Sequence, residues 1–172
     1  GEPSSRKALA ANVRIGNFDF VVIGVHLKSG RTNGDRKKRT AQCQVLAKFI
    51  ASATAGAEKD VLVLGDYNMV PSQDQANFQA LSPAGFLNFV SSPLDGAASH
   101  IQSCNPIKGN LLDGYAIAAA HTREFIAGSL RLIRFQQLGV PCSSFAIPSS
   151  PGYVADHLPL VARFRVNLKD DD

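Results

Sequence analysis

A chain of 172 residues is long enough to bury a hydrophobic core and fits one domain spanning residues 1–172. Its 45% hydrophobic and 19% charged residues are typical of a soluble globular protein, and no apolar run approaches the roughly 18 residues of a membrane span. The net charge of +4 is modest, and nothing in the composition distinguishes a secreted from a cytoplasmic protein.

The first predicted element is a β-hairpin. Residues 6–15 alternate loosely between apolar and polar, and Gly16-Asn17 provides a turn. The apolar run 18–25 then predicts a second strand that is buried on both faces. A loop over 29–35 follows this hairpin.

The next predicted element is a helix over 36–53, with a polar, basic face opposite its apolar face. The apolar positions recur at helical spacing and are Ala41, Val45, Leu46, Phe49 and Ile50. The helix start overlaps segment 31–39, which holds five basic residues and one acid and therefore carries the net charge of +4. This concentration favours a polyanionic partner, although a solvated helix start accounts for the same pattern.

Short strands dominate the rest of the prediction. An apolar strand over 60–65 precedes a short helix over 75–81. The weaker strands are predicted around 86–90, 111–119, 129–135 and 158–167, and the turn-rich segments 91–110 and 141–152 predict loops. A strand–helix–strand core with further antiparallel strands predicts mixed α/β architecture.

The tetrapeptide Gly65-Asp66-Tyr67-Asn68 follows the buried strand. Because Asp66 and Asn68 are two residues apart, an extended backbone presents both side chains on one face. A carboxylate beside an amide suits orienting a water near a metal or a phosphate. Asp and Asn are also ordinary turn residues, so the tetrapeptide alone leaves both interpretations open.

A histidine and a lysine end the second strand of the hairpin. His26 and Lys28 share one face of the extended chain, so a proton donor and a phosphate-binding cation emerge together. A structural role for His26 is the alternative.

A second histidine lies near the C-terminus. Asp156 and His157 are adjacent and point to opposite faces of an extended chain, so they cannot pair with each other. Asp113 is the natural remote partner for His157, which leaves Asp156 free to hold a metal. Alternatively, Asp113 is an ordinary turn residue, because an aspartate before a glycine is typical of turns. Carboxylate and amide oxygens indicate a hard cation, Mg²⁺, Mn²⁺ or Ca²⁺, rather than Zn²⁺.

The three cysteines, Cys43, Cys104 and Cys142, have no metal-binding spacing. The sequence leaves open one disulfide with a free thiol, or three buried thiols.

Four segments follow the motif order of the endonuclease/exonuclease/phosphatase superfamily: His26-Leu27-Lys28-Ser29-Gly30, Gly65-Asp66-Tyr67-Asn68, Leu112-Asp113-Gly114-Tyr115 and Ala155-Asp156-His157-Leu158-Pro159. The sequence resembles these deoxyribonuclease I-like, magnesium-dependent phosphodiesterases, with Ala155 in place of the usual serine. The resemblance implies an α/β-sandwich of mixed, largely antiparallel sheets flanked by helices. It also implies a nucleic-acid substrate and Mg²⁺, with Mn²⁺ or Ca²⁺ as the other hard cations.

The resemblance implies roles around the phosphate. Asp66 would orient or deprotonate the attacking water and share the metal site with Asp156, and Asn68 would hold the scissile phosphate. The basic residues assigned to substrate binding are Lys28, Arg31, Arg36 and Arg39.

The implied roles of the two histidines are complementary. His157, paired with Asp113, would stabilise developing charge or act as acid or base. His26 would be a second acid, base or phosphate ligand.

One departure from the family is substantial. The first strands of the family normally supply an Asn in a Trp-Asn-like context and a metal-binding Glu in a Gln-Glu-like context. This chain has no tryptophan, and its glutamates, Glu2, Glu58 and Glu124, stand in no such setting. We therefore expect a domain without its first strands, whose open sheet edge favours self-association or a complementing N-terminal segment.

Two other functions fit the same residues. One is a phosphoinositide phosphatase or sphingomyelinase-like phosphoesterase of the same fold, although no amphipathic membrane element supports it. The other is a non-catalytic or split-domain fragment that acts as an interaction module.

Overall fold

The computed structural model of the chain describes residues 6–56 and 58–169, so Glu2 lies outside the described residues. The strands are β1 Leu9–Ile15, β2 Phe18–His26, β3 Val61–Asp66, β4 Asn88–Phe89, β5 His100–Cys104, β6 Ile107–Asn110, β7 Asp113–Ile117, β8 Arg131–Leu132 and β9 Leu160–Val161. The helices are α1 Asn33–Ala53, α2 Gln75–Leu81 and α3 Ser143–Ala146. Within the described ranges, no helix combines the length and the hydrophobicity needed to cross a membrane.

A mixed sheet of five strands forms the centre of the fold, in the order β1-β2-β3-β7-β4. The predicted hairpin is present as antiparallel β1 and β2, and α1 connects β2 to the parallel strand β3. Strand β7 pairs antiparallel with both β3 and β4. The predicted mixed α/β class is therefore confirmed, and the edge strand β1 is largely exposed, with Leu9 78% and Ile15 51% accessible.

The register of the central strands aligns three of the predicted site residues. His26 at the end of β2 is opposite Asp66 in β3, and Asp66 is opposite Asp113 in β7. These residues form one row across the sheet, which we call the transverse row. Backbone pairing therefore brings together side chains that lie up to 87 residues apart in the sequence (113 − 26).

Helix α1 begins at Asn33, three residues before the predicted start. Thr32 is its N-cap, and the Thr32 hydroxyl accepts a hydrogen bond from the Asp35 N–H at 3.1 Å. The Asp35 carboxylate in turn accepts one from the Thr32 N–H at 3.1 Å. This capping box satisfies N–H groups that the first helical turn leaves unpaired, and so fixes the start of the helix.

The buried stripe of α1 differs from the predicted apolar face. Cys43, Leu46 and Ile50 are buried in the main core together with strands β2 and β3. Val45 and Phe49 belong to the predicted apolar face, yet they remain 68% and 45% exposed. The helical period identified an apolar side of α1, but only part of that side packs on the sheet.

The segment 91–110 is not the loop that its composition predicted. It contains the antiparallel hairpin of β5 and β6, and the predicted loop 141–152 contains α3. Ile101 of β5 packs with Phe145 and Leu158 in a small separate core. A disulfide joins Cys104 to Cys142 and fastens the hairpin to the start of α3, which decides between the two cysteine arrangements. Cys43 is the free, buried thiol.

Candidate active site

One open cleft of about 580 Å³ collects the predicted catalytic residues at the ends of the central strands. Its lining includes His26, Asp66, Asn68, Asp113, Asp156 and His157, together with Arg31 from the basic segment. Arg6 and His100, which the sequence did not single out, also line it.

Asp66 and Asn68 face each other where β3 ends. The Asn68 N–H donates to Asp66 Oδ1 at 2.8 Å, and its side-chain amide donates to Asp66 Oδ2 at 2.8 Å. The preceding Gly65 has a φ of +127°, and a Cβ there would collide with the backbone of Val25. Only glycine adopts this conformation readily, so Gly65 allows the strand to end close against β2.

The environment of Asp66 raises the pKa of its carboxyl group. Burial disfavours the charged form and outweighs the opposing effects of the Asn68 N–H and the nearby histidines. His26 Nε2 lies 3.3 Å from Asp66 Oδ2, and the His26 ring also contacts the Arg6 guanidinium. A carboxylate with a raised pKa is a stronger proton acceptor than an ordinary aspartate.

Asp113 and His157 form the pair that the sequence predicted across 44 residues. His157 Nδ1 lies 2.6 Å from Asp113 Oδ2. Burial lowers the pKa of His157, but the hydrogen bond and charge of Asp113, with the charges of Asp66 and Asp156, raise it above its ordinary value. Because Nδ1 is held by Asp113, Nε2 is the ring nitrogen left for chemistry.

Asp156 lies beside a histidine that sequence reasoning missed. Its side chain is 58% exposed, and Asp156 Oδ2 is 3.9 Å from His100 Nε2. His100 belongs to β5, in the segment predicted to be a loop, and an isolated histidine there gave no spacing signal. The structure therefore adds one imidazole to the predicted site.

The basic segment is organised around Asp74, whose side chain is fully buried. Arg39 is also fully buried, and its guanidinium lies 3.2 Å from Asp74 Oδ1 and donates to the carbonyls of Lys28 and Gly30 at 2.8 and 2.7 Å. A guanidinium with no exposed surface cannot contact a substrate. The prediction of Arg39 as a substrate contact was therefore wrong, because it holds the loop between β2 and α1.

The other three basic residues are partly exposed, and each has an acidic neighbour. Lys28 Nζ lies 3.0 Å from Asp35 Oδ1. Arg36 and Arg31 lie 3.4 and 3.7 Å from the carboxylate of Asp74. Of these three, Arg31 lines the cleft.

The cleft offers oxygen donors of the kind that a divalent cation takes. Asp66 and Asp156 supply carboxylates, and Mg²⁺ commonly binds through one or two carboxylates, with water and substrate phosphate completing the shell. Glu58 lies at a different cavity, and Glu124 is buried outside the cleft. Among the described residues, no glutamate takes the place of the family's metal-binding Glu.

Several solved structures have the same fold at low sequence identity. The 3′ phosphatase NExo from Neisseria, bound to product DNA hairpin, gives a TM-score of 0.62 at 14% identity, covering 95% of this chain and 66% of that one. D. rerio TDP2, complexed with single strand DNA product, gives a TM-score of 0.61 at 16% identity. The match covers 92% of this chain and 61% of that one. Beta toxin from Staphylococcus aureus gives a TM-score of 0.57 at 15% identity. The match covers 91% of this chain and 56% of that one. The chain thus spans less than two thirds of each of these structures.

The sequence itself matches no family model and no curated protein. The structural likeness nevertheless covers almost the whole chain and confirms the fold that the four motifs predicted. The chain therefore has the deoxyribonuclease I-like fold.

Proposed function

We propose that the chain carries the active site of a metal-dependent phosphodiesterase, and specifically of a nuclease that hydrolyses DNA or RNA. One observation carries the proposal. The transverse row of His26, Asp66 and Asp113 meets Asn68 and His157 in a single cleft. This set contains a proton acceptor, an amide for phosphate and two imidazoles, which are groups that can accelerate phosphodiester hydrolysis.

In the proposed reaction, Asp66 orients a water and accepts its proton as the oxygen attacks phosphorus. The burial that raises the pKa of Asp66 favours this acceptance, and the Asn68 amide holds the carboxylate in position. Asn68 would exchange part of this bonding for a phosphate oxygen when substrate enters.

The histidines act on the negative charge that develops on the phosphate and the leaving oxygen. Because its pKa is raised, His157 remains protonated to higher pH and can stabilise the developing negative charge or donate a proton to the leaving oxygen. Asp113 fixes its tautomer and orientation through Nδ1. His26, whose Nε2 lies 3.3 Å from Asp66 Oδ2, supplies a second donor beside the carboxylate.

Asp66 and Asp156 would hold the magnesium ion, which supplies Lewis-acid stabilisation of phosphate charge when bound. The roles of the side chains described above are the same with the ion bound. These side chains orient water, hold the phosphate and transfer protons.

The charge around the cleft supports a polyanionic substrate. Three guanidiniums, those of Arg31, Arg36 and Arg39, share the single carboxylate of Asp74, which leaves a local excess of positive charge. Arg31 is 41% exposed and brings part of this charge to the cleft. The DNA bound to NExo and to D. rerio TDP2 agrees with this choice of substrate class.

The proposal is tested by nicking of supercoiled plasmid DNA in Mg²⁺, Mn²⁺ or Ca²⁺. We expect metal-dependent nicking, and we expect Asp66→Asn to reduce its rate by about 10²–10⁴-fold, because the proton acceptor is lost. His121→Gln is a matched control, since His121 lies outside the cleft against the ring of Phe86.

Nicking by Asp66→Asn at the wild-type rate, or a folded wild-type chain inert with every metal on both DNA and RNA, would contradict the proposal. Turnover of sphingomyelin or phosphoinositides in place of nucleic acid would retain the phosphoesterase chemistry and change the substrate.

A further inference from the structure

Two imidazoles and a carboxylate converge at the edge of the cleft contributed by β5 and the segment before β9. One potential ligand atom from each of His100, Asp156 and His157 lies within 4.8 Å of the other two. The His100 and His157 rings have centroids 4.9 Å apart. This separation is close enough for one ion to reach all three groups after small side-chain adjustments.

The backbone holds these residues together independently of any ion. His100 and His157 are directly opposite each other in an antiparallel β-bridge. On either side of it, Ile101 N–H donates to the Asp156 carbonyl at 3.0 Å and Leu158 N–H donates to the Ser99 carbonyl at 2.7 Å. The site therefore does not need to be assembled by its ligand, which lowers the ordering cost of binding.

Coordination through Nε2 suits both histidines. His157 Nδ1 is bonded to Asp113 Oδ2 at 2.6 Å, which leaves its Nε2 as the ligand atom. A carboxylate that bonds the second nitrogen of a ligand histidine fixes its orientation and raises its basicity. His100 Nδ1 is buried without a hydrogen-bond partner in the described part of the chain, and its Nε2 is directed toward Asp156.

From this geometry we propose that His100, Asp156 and His157 bind a divalent transition-metal ion of the zinc class. Imidazole nitrogens suit Zn²⁺, Co²⁺ or Ni²⁺ better than Mg²⁺, and three protein ligands leave one coordination position open. The sequence predicted only hard cations because His100 was absent from the predicted site. Cys43 is fully buried and does not compete for the ion.

This site shares His157 and Asp156 with the cleft. If the proposed function holds, an ion on His157 Nε2 removes the nitrogen used in phosphodiester hydrolysis. Zinc would then inhibit magnesium-dependent turnover, and the inhibition would depend on His100, which has no assigned role in the hydrolysis itself.

Binding is measured directly by titrating the metal-free full chain with Zn²⁺ by calorimetry, and with Co²⁺ by visible absorption. We expect one equivalent to bind and the Co²⁺ complex to show bands typical of low coordination number. Loss of an outer-shell partner alone costs about 10–100-fold in metal affinity, so His100→Gln, which removes a direct ligand, should cost at least about 100-fold. His121→Gln should bind as the wild type does.

A second measurement needs no variant. In NMR spectra of the wild-type imidazoles, one equivalent of Zn²⁺ should shift the ring nitrogens of His100 and His157 and leave those of His121 unchanged.

Wild-type affinity in folded His100→Gln, or a Zn²⁺ shift confined to His26, would overturn the site. Both readouts are independent of hydrolysis. A chain that binds Zn²⁺ through His100 but cleaves neither DNA nor RNA would overturn only the proposed function.

Discussion

At the scale of single residues, the environment of each charged group decides its role. The sequence assigned Arg39 to substrate binding, yet Arg39 is fully buried against Asp74. The neighbouring Arg31 stays 41% exposed at the cleft. The local charge run cannot distinguish the two, because their common partner lies 35 residues beyond Arg39. Removing one member of such a buried pair leaves an uncompensated charge.

The Asp113–His157 pair gives a prediction about proton binding. In Asp113→Asn, the hydrogen bond and charge that raise the pKa of His157 weaken while the burial that lowers it remains. We therefore expect the pKa of His157 to fall in the variant, as measured by NMR titration of the imidazole in the presence of EDTA. An unchanged titration would show that Asp113 does not control this histidine.

The same pair makes stability depend on pH with a definite sign. The pKa of His157 is higher in the folded than in the unfolded state. The pair therefore contributes fully to the free energy of unfolding below about pH 6.5, and this contribution disappears as pH rises through the folded pKa. The wild-type free energy of unfolding should thus fall over that window more than that of Asp113→Asn. Urea unfolding at several pH values measures the difference.

At the scale of elements, periodicity and capping locate helices, while packing decides which faces are covered. Helix α1 was predicted within three residues of its start because its pattern is local. The exposure of Val45 and Phe49 depends on the position of the sheet, which helical spacing alone does not report. The hairpin of β5 and β6 was missed because its residues are typical of turns, and its stability comes from distant partners such as Phe145.

Adjacent positions of α1 provide a matched test of this packing. Leu46 is 8% exposed and Val45 is 68% exposed. We expect Leu46→Ala to lower the free energy of unfolding by about 2–5 kcal/mol, because it removes buried methyl groups and leaves a cavity. Val45→Ala should change it by no more than about 0.5 kcal/mol. Equal losses in urea unfolding would contradict this difference in burial between the two positions.

At the scale of the whole molecule, the chain combines a central sheet with the small separate core of Ile101, Phe145 and Leu158, and both contribute residues near the cleft. The central sheet supplies Asp66 and Asp113, and the segment before β9 supplies His157. Four ordered motifs made this arrangement predictable, since each ends a strand or a loop near the same sheet edge. The contribution of His100 was not predictable, because it required the fold of a hairpin without a clear pattern.

The Cys104–Cys142 disulfide links β5 to the start of α3 beside this small core. A cross-link between residues 38 positions apart restricts the unfolded chain, and disulfides of this kind typically stabilise by about 2–4 kcal/mol. We expect the double variant Cys104→Ser, Cys142→Ser to lose stability of this order in denaturant unfolding. The wild type in reductant should match the variant, and a variant as stable as the oxidised wild type would contradict the prediction.

The transverse row has a consequence for how this cleft tolerates change. Neighbouring strands lie about 4.8 Å apart, so the backbones of His26 and Asp113, two strands from each other, are held roughly 10 Å apart by main-chain hydrogen bonds. Exchanging core side chains alters stability without altering that interval. Inserting or deleting one residue within β3 would instead turn Asp66 to the opposite face of the sheet. The dimensions of the cleft therefore depend on strand length. Insertions and deletions in the strands should disrupt the cleft more than substitutions do.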